Sequence, residues 1–296
     1  MIEETNPTIS VIFVDGSYRS HFTAVDSLEE QSFSKQDYEI LWVEYFGGVR
    51  KELLQKEKAY SNFKTYTLKR TGIYISGFCF NAGIQQAKGE VVVIPDADVL
   101  FENNFLEKIW QEHQKNEKLV MYIYRYDEPL RKEPTSLTKE ELEKNCVLTN
   151  PINYGGCCTV RKKWLLAVNG YEQFEIFKTG AHANGLDLAT RFKNLGLHIM
   201  WHPELKMYHP WHPHKFWIID PYKAQKTVIK HRALHRDIFP YQGINPHLNR
   251  ELPSDLKKKL KTAKWDLSYY FVRTIKFIRR KIKNFWLSLK FSRKMS

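Results

Sequence analysis

Glu90-Val91-Val92-Val93-Ile94-Pro95-Asp96-Ala97-Asp98 joins an apolar run to two carboxylates one residue apart. Its apolar part, between Gly89 and Pro95, predicts a short strand buried on both faces, the kind found in the middle of a parallel sheet. Carboxylates that follow such a strand directly come to lie side by side at the edge of the sheet where ligands bind. Paired oxygens there are hard ligands for Mg²⁺ or Mn²⁺, cations that bridge a diphosphate. An ordinary strand-to-loop turn also accounts for an isolated Asp-x-Asp.

Outward from this strand, the first 125 residues alternate between strand and helix patterns. Residues 8–14 (Thr-Ile-Ser-Val-Ile-Phe-Val) form a second buried run, and Phe22, Val25 and Leu28 then recur at helical spacing. Further strands are predicted over 39–43, around Tyr66 and over 119–124. Helices are expected over about 77–87, stopped by Gly89, and near 104–114. This rhythm predicts an α/β, doubly wound, mostly parallel sheet. Residues 127–149 are charged, contain two prolines and read as a surface excursion. A second section, about 151–215, holds Gly155-Gly156, helices over 161–168 and 186–195, and a strand near 198–201. Residues 216–249 are rich in aromatics and His, with little periodicity.

The 296 residues are 43% apolar and 27% charged, enough for a sizeable core and unlike a disordered chain. No apolar run approaches the roughly 18 residues of a membrane-spanning helix, and residues 1–10 are too polar for a signal peptide. Four cysteines suit a reduced, cytosolic protein better than a disulfide scaffold, and Cys157-Cys158 reads as a buried strand pair. Collagen-like, small secreted and integral-membrane classes are therefore excluded. The net charge of +13 is local. Residues 256–294 carry 14 Lys or Arg and one acid, Asp266, while the remaining charges cancel. A neutral body with a basic tail argues for tethering rather than for phosphate reading by the main surface.

Several stretches together resemble one family. Gly77-Phe78-Cys79-Phe80-Asn81-Ala82-Gly83-Ile84, then Ala87-Lys88-Gly89-Glu90, then Asp96-Ala97-Asp98, are similar to the donor half of family 2 glycosyltransferases with the GT-A fold. Gly155-Gly156, Arg161, Val168-Asn169-Gly170-Tyr171-Glu172 and Asp187-Leu188-Ala189-Thr190-Arg191 resemble the acceptor half of chondroitin-polymerase-like and galactosyltransferase-like members. The resemblance spans about 8–214. It implies a Rossmann-like nucleotide-binding half, about 1–125, and an acceptor half, about 151–215, in a GT-A domain over 1–253. A basic tail over 254–296 follows.

The same resemblance implies site residues. Asp98 matches the metal-binding Asp, and Asp96 the one near the donor ribose and metal. Asn81 falls near the donor nucleotide, and Glu44 stands where relatives place an acid facing the base. Among five His between 198 and 214, His209 lies where such enzymes supply a further metal ligand, with His212 the second choice. The resemblance departs at Asn184-Gly185, where relatives carry a Glu-Asp pair whose Asp is the general base. His182 and Asp187 are the nearest substitutes, although Asp187 also reads as a structural acid at a helix start. A retaining reaction would need no such base.

In the tail, Phe271, Ile275, Ile278, Ile282, Phe285, Trp286 and Leu289 recur at spacings of three and four, with Lys276, Arg280, Lys283 and Lys290 on another face. This pattern suits an amphipathic helix on an anionic membrane interface, with packing on a protein surface as the alternative. The expectation is a Mn²⁺- or Mg²⁺-dependent glycosyltransferase using a nucleotide-diphospho-sugar, a UDP-sugar foremost. It would act on a saccharide or lipid-linked acceptor, peripherally on the cytoplasmic face of the cell membrane. A non-catalytic sugar-binding or scaffold module is the alternative. Nucleic acid is not an expected partner, because no reading element accompanies the charge.

Overall fold

The computed structural model describes residues 6–129, 138–178, 181–212 and 222–263, together with Ile282. Most of the predicted amphipathic tail lies outside the described residues. Along the chain run β1 (Ile9–Asp15), α1 (Thr23–Glu29), β2 (Tyr38–Glu44), α2 (Lys51–Ala59), β3 (Phe63–Thr67), α3 (Ser76–Gln86), β4 (Val91–Pro95), β5 (Leu100–Phe101) and α4 (Phe105–Lys115). Then follow β6 (Leu119–Asp127), α5 (Lys139–Asn145), β7 (Val147–Leu148), β8 (Cys157–Arg161), α6 (Lys162–Ala167), α7 (Ala181–Asn194), β9 (His198–His209), α8 (Tyr222–His235) and α9 (Ser254–Ala263).

The strands form one sheet in the order β3-β2-β1-β4-β8-β6-β9-β5, with β7 paired to β6. β3, β2, β1 and β4 are mutually parallel, and β9 is parallel to β6. β8 runs antiparallel between β4 and β6. Its insertion restores β6 to the direction of β4, so β1, β2, β4, β6 and β9 end at the same edge. The sheet is buried on both faces, which is why β1 and β4 are almost continuously apolar. Ile9, Val11 and Phe13 pack toward α1 and α4, while Ile12 and Val14 pack toward α3, α6 and α7.

Three features differ from the sequence reading. First, α7 begins at Ala181, so Asn184 and Gly185 lie within the helix rather than before it, and Asp187 stands in its second turn rather than at its start. Second, β9 continues to His209 through His202-Pro203. The ladder to β6 shifts register between Tyr122 and Tyr124, which accommodates a residue without an N–H. Third, α8 forms in the stretch that showed little periodicity. Val228 and Ile229 of α8 pack with Leu256 and Leu260 of α9 and Ala183 of α7 in a separate small core. Residues 254–263, the start of the expected tail, thus pack against α7 and α8. All four cysteines are buried free thiols, Cys157 and Cys158 in β8 as expected.

In the excursion after β6, α5 is fixed by a capping box: Thr138 caps the Glu141 N–H, and Glu141 returns a bond to the Thr138 N–H. No described helix is long and apolar enough to cross a membrane.

Candidate active site

Five strands deliver polar side chains to one edge: Asp15 ends β1, Glu44 ends β2, Asp96 and Asp98 follow β4, Asp127 ends β6 and His209 ends β9. Two arginines are threaded among these acids. Arg19 Nη1 lies 3.1 Å from Asp15 Oδ1, and its Nε lies 3.3 Å from Asp98 Oδ2. Arg125 donates from Nη1 to Asp96 Oδ2 at 2.6 Å, and its Nε lies 2.9 Å from Asp127 Oδ1.

Asp98 is also faced by two imidazoles. His209 Nε2 stands 3.6 Å from Asp98 Oδ1, and His212 Nε2 stands 3.4 Å from Asp98 Oδ2. One ligand atom from each of Asp98, His209 and His212 falls within 4.8 Å of the other two. Asp127 lies 3.1 Å from the other ring nitrogen, His209 Nδ1. A carboxylate at that distance orients the ring so that Nε2 faces Asp98. The chain after β9 is held in place by Glu128, whose N–H donates to the His209 carbonyl and whose side chain accepts from the Trp211 N–H.

The electrostatics separate the two carboxylates. Burial disfavours charge on Asp98, but Arg19 and the two His outweigh it and hold the carboxyl well below its usual range. For Asp96 burial wins over Arg125, with the neighbouring Asp98 adding to the upward shift. Asp127 is also disfavoured by burial, yet His209 and Arg125 bring it down to about 2. Glu44 is pushed up to about 7, chiefly by burial, against the bond it accepts from the Ser17 hydroxyl at 2.8 Å. Its second oxygen, Oε2, is buried with no hydrogen-bond partner among the described residues.

Beside the carboxylates a cleft is lined by Tyr18, Tyr74, Ser76, Tyr154, Gly155 and Gly185, with Arg19 and Asp96 at its polar end.

A family model described as glycosyl transferase family 2 matches residues 23–168, the stretch that carries the Asp-x-Asp strand and its neighbours. The chain is a family 2-like glycosyltransferase. Its fold is GT-A, shared with solved structures of low identity. The S. aureus TarS structure, residues 1–349, is 18% identical over 90% of this chain and 73% of that one, with a TM-score of 0.56. TarS 1–349 in complex with UDP-GlcNAc gives 0.57, at 18% identity over 86% and 79% of the two chains. A mannosyltransferase from Pyrobaculum calidifontis, in complex with GDP-Man and Mn²⁺, is 12% identical over 88% and 69%, with a TM-score of 0.52. A search of curated proteins finds no match.

Within this glycosyltransferase, Glu44, Asp96, Asp98, His209 and His212 gather at one edge. Asp96 belongs to the Arg125 pair rather than to the Asp98–His209–His212 cluster, and the two His approach Asp98 equally. Asn81 faces the Tyr171 main chain. Its Oδ1 accepts from the Tyr171 N–H at 2.6 Å and its Nδ2 donates to the Tyr171 carbonyl at 2.9 Å. These two bonds join α3 to the turn at Gly170.

Asp187 is held in an ion network. It is fully buried, pairs with Arg191 at 2.9 Å and meets Arg232 of α8, which also binds Glu172. One guanidinium meets each of its two oxygens, Arg191 at Oδ2 and Arg232 at Oδ1. The side chain of His182 lies outside the described residues. At Gly185, a Cβ would come within 2.1 Å of the Tyr154 carbonyl oxygen, so this position admits no acid. Asn184 beside it donates to Ser76 Oγ at 3.0 Å.

Arg19, Arg125 and Asp127 were missed by sequence reasoning. Arg19 stands at helical spacing after Asp15, and Arg125 and Asp127 share one face of a strand that runs longer than its apolar core. Only the second pattern was a usable signal.

Proposed function

We propose that this glycosyltransferase moves a sugar from a UDP-sugar to a saccharide or lipid-linked acceptor, with a divalent cation held by Asp98, His209 and His212. The observation that carries this reading is the three-residue donor cluster at the sheet edge, beside the cleft. One carboxylate and two imidazoles suit Mn²⁺ better than Mg²⁺, which prefers an all-oxygen set. Complexes of the structural neighbours with UDP-GlcNAc, and with GDP-Man and Mn²⁺, support a nucleotide-sugar donor.

Asp98, His209 and His212 would hold a divalent cation, which would supply charge neutralisation to the leaving diphosphate. The chain's own residues do the rest. Asp127 fixes the His209 ring, and Arg19 and Arg125 present guanidinium groups able to exchange their carboxylate partners for phosphate oxygens. Glu44, with a free buried oxygen at the end of β2, meets the nucleobase. Helix α7 contributes no proton acceptor at Gly185, which favours either a base from elsewhere in the chain or a retaining reaction.

Membrane attachment through the basic tail, on the cytoplasmic face, rests on the tail's sequence alone. Sedimentation with anionic but not neutral vesicles, reversed in part by high salt, is the expected result. Equal binding to both kinds, or to neither, overturns it.

The donor reading is tested by calorimetry of UDP with and without Mn²⁺. Asp98→Ala should abolish the Mn²⁺-dependent binding while the melting temperature is kept, because the side chain is at a loop edge. Unchanged UDP affinity in Mn²⁺ overturns the assignment.

A further inference from the structure

Helix α3 borders two hollows. Ser76 and Phe80, four residues apart, line the cleft beside Asp96. Phe78, Ala82 and Gln85 recur on the opposite side of the helix and line a separate groove of about 340 Å³. No described residue lines both. The facing wall of the groove is the strap 243–246, and Asn169 fixes that strap. Asn169 Oδ1 accepts from the Asn245 N–H at 2.6 Å, its Nδ2 donates to the Asn245 carbonyl at 3.0 Å, and its own carbonyl accepts from the Ile244 N–H at 3.1 Å. Asn249 Oδ1 accepts from the Gly243 N–H at 2.8 Å. A Cβ on Gly243 would stand 2.3 Å from the Asn169 carbonyl oxygen, so only glycine lets the two main chains meet this closely. The sequence motif at Asn169-Gly170, which takes no part in lining the cleft, therefore shapes this second hollow.

The lining is chiefly apolar, from Leu68, Phe78, Ala82, Ile244 and Pro246. At its edge the exposed Arg70 guanidinium stacks on the Phe78 ring, 3.5 Å from the centroid. Arg19, Arg125, Arg191 and Arg232 each pair with a carboxylate. Among the described residues Arg70 forms no ion pair, and no acid lines the groove.

We propose that this groove is a second ligand site, separate from the donor cleft, for a small molecule that joins an apolar ring to a carboxylate or phosphate. A preformed concave surface, mostly apolar and with a few convergent polar groups, is the usual form of a small-molecule site, and the volume lies at the lower end of the usual range. That volume suits a ligand of one or two rings, packed between the side chains of α3 and the strap. The guanidinium is held flat on Phe78, so its N–H edge is left for an anion, and its fork matches a carboxylate or phosphate at two points. Gln85 and Gln173 add carboxamides to the same lining. Charge rules out the chain's own basic tail as the occupant, because nothing in the described lining would pair with a cation.

The experiment titrates the full chain, in buffer without divalent metal, with phenyl phosphate, benzoate and uncharged benzyl alcohol. Saturation-transfer NMR and calorimetry read binding, and melting curves confirm that each variant is folded. At least one of the two anions should bind wild type, about tenfold or more tighter than benzyl alcohol, and the better of the two tells a phosphate ligand from a carboxylate. Arg70→Gln should weaken that anion about tenfold, as expected for the loss of one charge-assisted contact. Ala82→Trp, which fills the groove from the α3 side, should abolish its binding. Gln85→Trp, at an exposed position one turn further on, gives the same block should Ala82→Trp fail to fold. Binding by neither anion, equal binding by Arg70→Gln, or full binding by the filled variant overturns the proposal. A loss in Arg19→Gln in place of Arg70→Gln also overturns it, because the probe then lies in the donor cleft.

Discussion

Gly185 packs against the main chain of Tyr154 so closely that a Cβ would meet the Tyr154 carbonyl oxygen at 2.1 Å. The helix carrying Gly185 and the loop carrying Tyr154 together form a wall of the cleft, and glycine is the condition for their approach. Restoring the family's acid should therefore do harm. Gly185→Asp is expected to lower stability by about 1–3 kcal/mol or more, the usual cost of overpacking, with no gain in transfer. Thermal melting and a donor-hydrolysis assay check both halves, and a stable variant with higher activity would contradict the packing argument.

His209 and His212 approach opposite oxygens of Asp98 at 3.6 and 3.4 Å. His209→Ala and His212→Ala should each weaken Mn²⁺ affinity about tenfold or more, since a direct ligand costs at least what its supporting partners do. Asp127→Asn should weaken it less, by loosening the His209 ring. Mn²⁺ titration followed by electron paramagnetic resonance reads all three. An effect confined to one His would dissolve the cluster.

Arg232 joins α8 to Glu172 and Asp187 without exposure to solvent, while Glu172 also caps the main-chain N–H groups of Tyr241 and Gln242. Arg232→Met leaves two buried carboxylates short of a partner and should cost about 3–5 kcal/mol. Arg232→Lys should recover only part of it, because one ammonium cannot span both acids as a guanidinium does. Urea melts of the two variants give the comparison.

Asn81 serves the Tyr171 main chain at both ends of its amide. Asn81→Ala should destabilise the protein by about 1–3 kcal/mol by leaving that main chain unpaired. Its UDP affinity, measured below the melting transition, should match wild type. A selective loss of UDP binding would return Asn81 to the donor site.

His113 sits in the core of α4 with its Nε2 2.8 Å from Thr159 Oγ1, and burial pushes its pKa down to about 4. The unfolded chain protonates this His at about 6.5, so it binds more protons than the folded chain between those values. The contribution is complete above pH 6.5 and is lost as the pH falls toward 4, up to about 3 kcal/mol in all. Wild type should lose more melting temperature than His113→Leu on going from pH 7.5 to 5. Parallel pH profiles would show that the His is not buried in its neutral form.

The sequence by itself determined the strands, most of the helices and the position of Asp96 and Asp98. Buried parallel strands write themselves as continuous apolar runs, and the family motifs occupy contiguous residues. It also marked His209 and His212, though not that they share one carboxylate oxygen pair. The fold alone decided the rest, because these contacts join residues far apart in the chain. Arg19 reaches Asp98 only when β1 lies beside β4, and Arg125 and Asp127 reach the edge only because the antiparallel β8 turns β6 to the same direction. The linear pattern marks Asn81 and Asp187 as candidates, while their contacts with the Tyr171 main chain and with Arg191 and Arg232 come from packing alone. Side-chain chemistry is a local property legible in the sequence, whereas which partner satisfies a polar group depends on three-dimensional neighbours that no short motif contains.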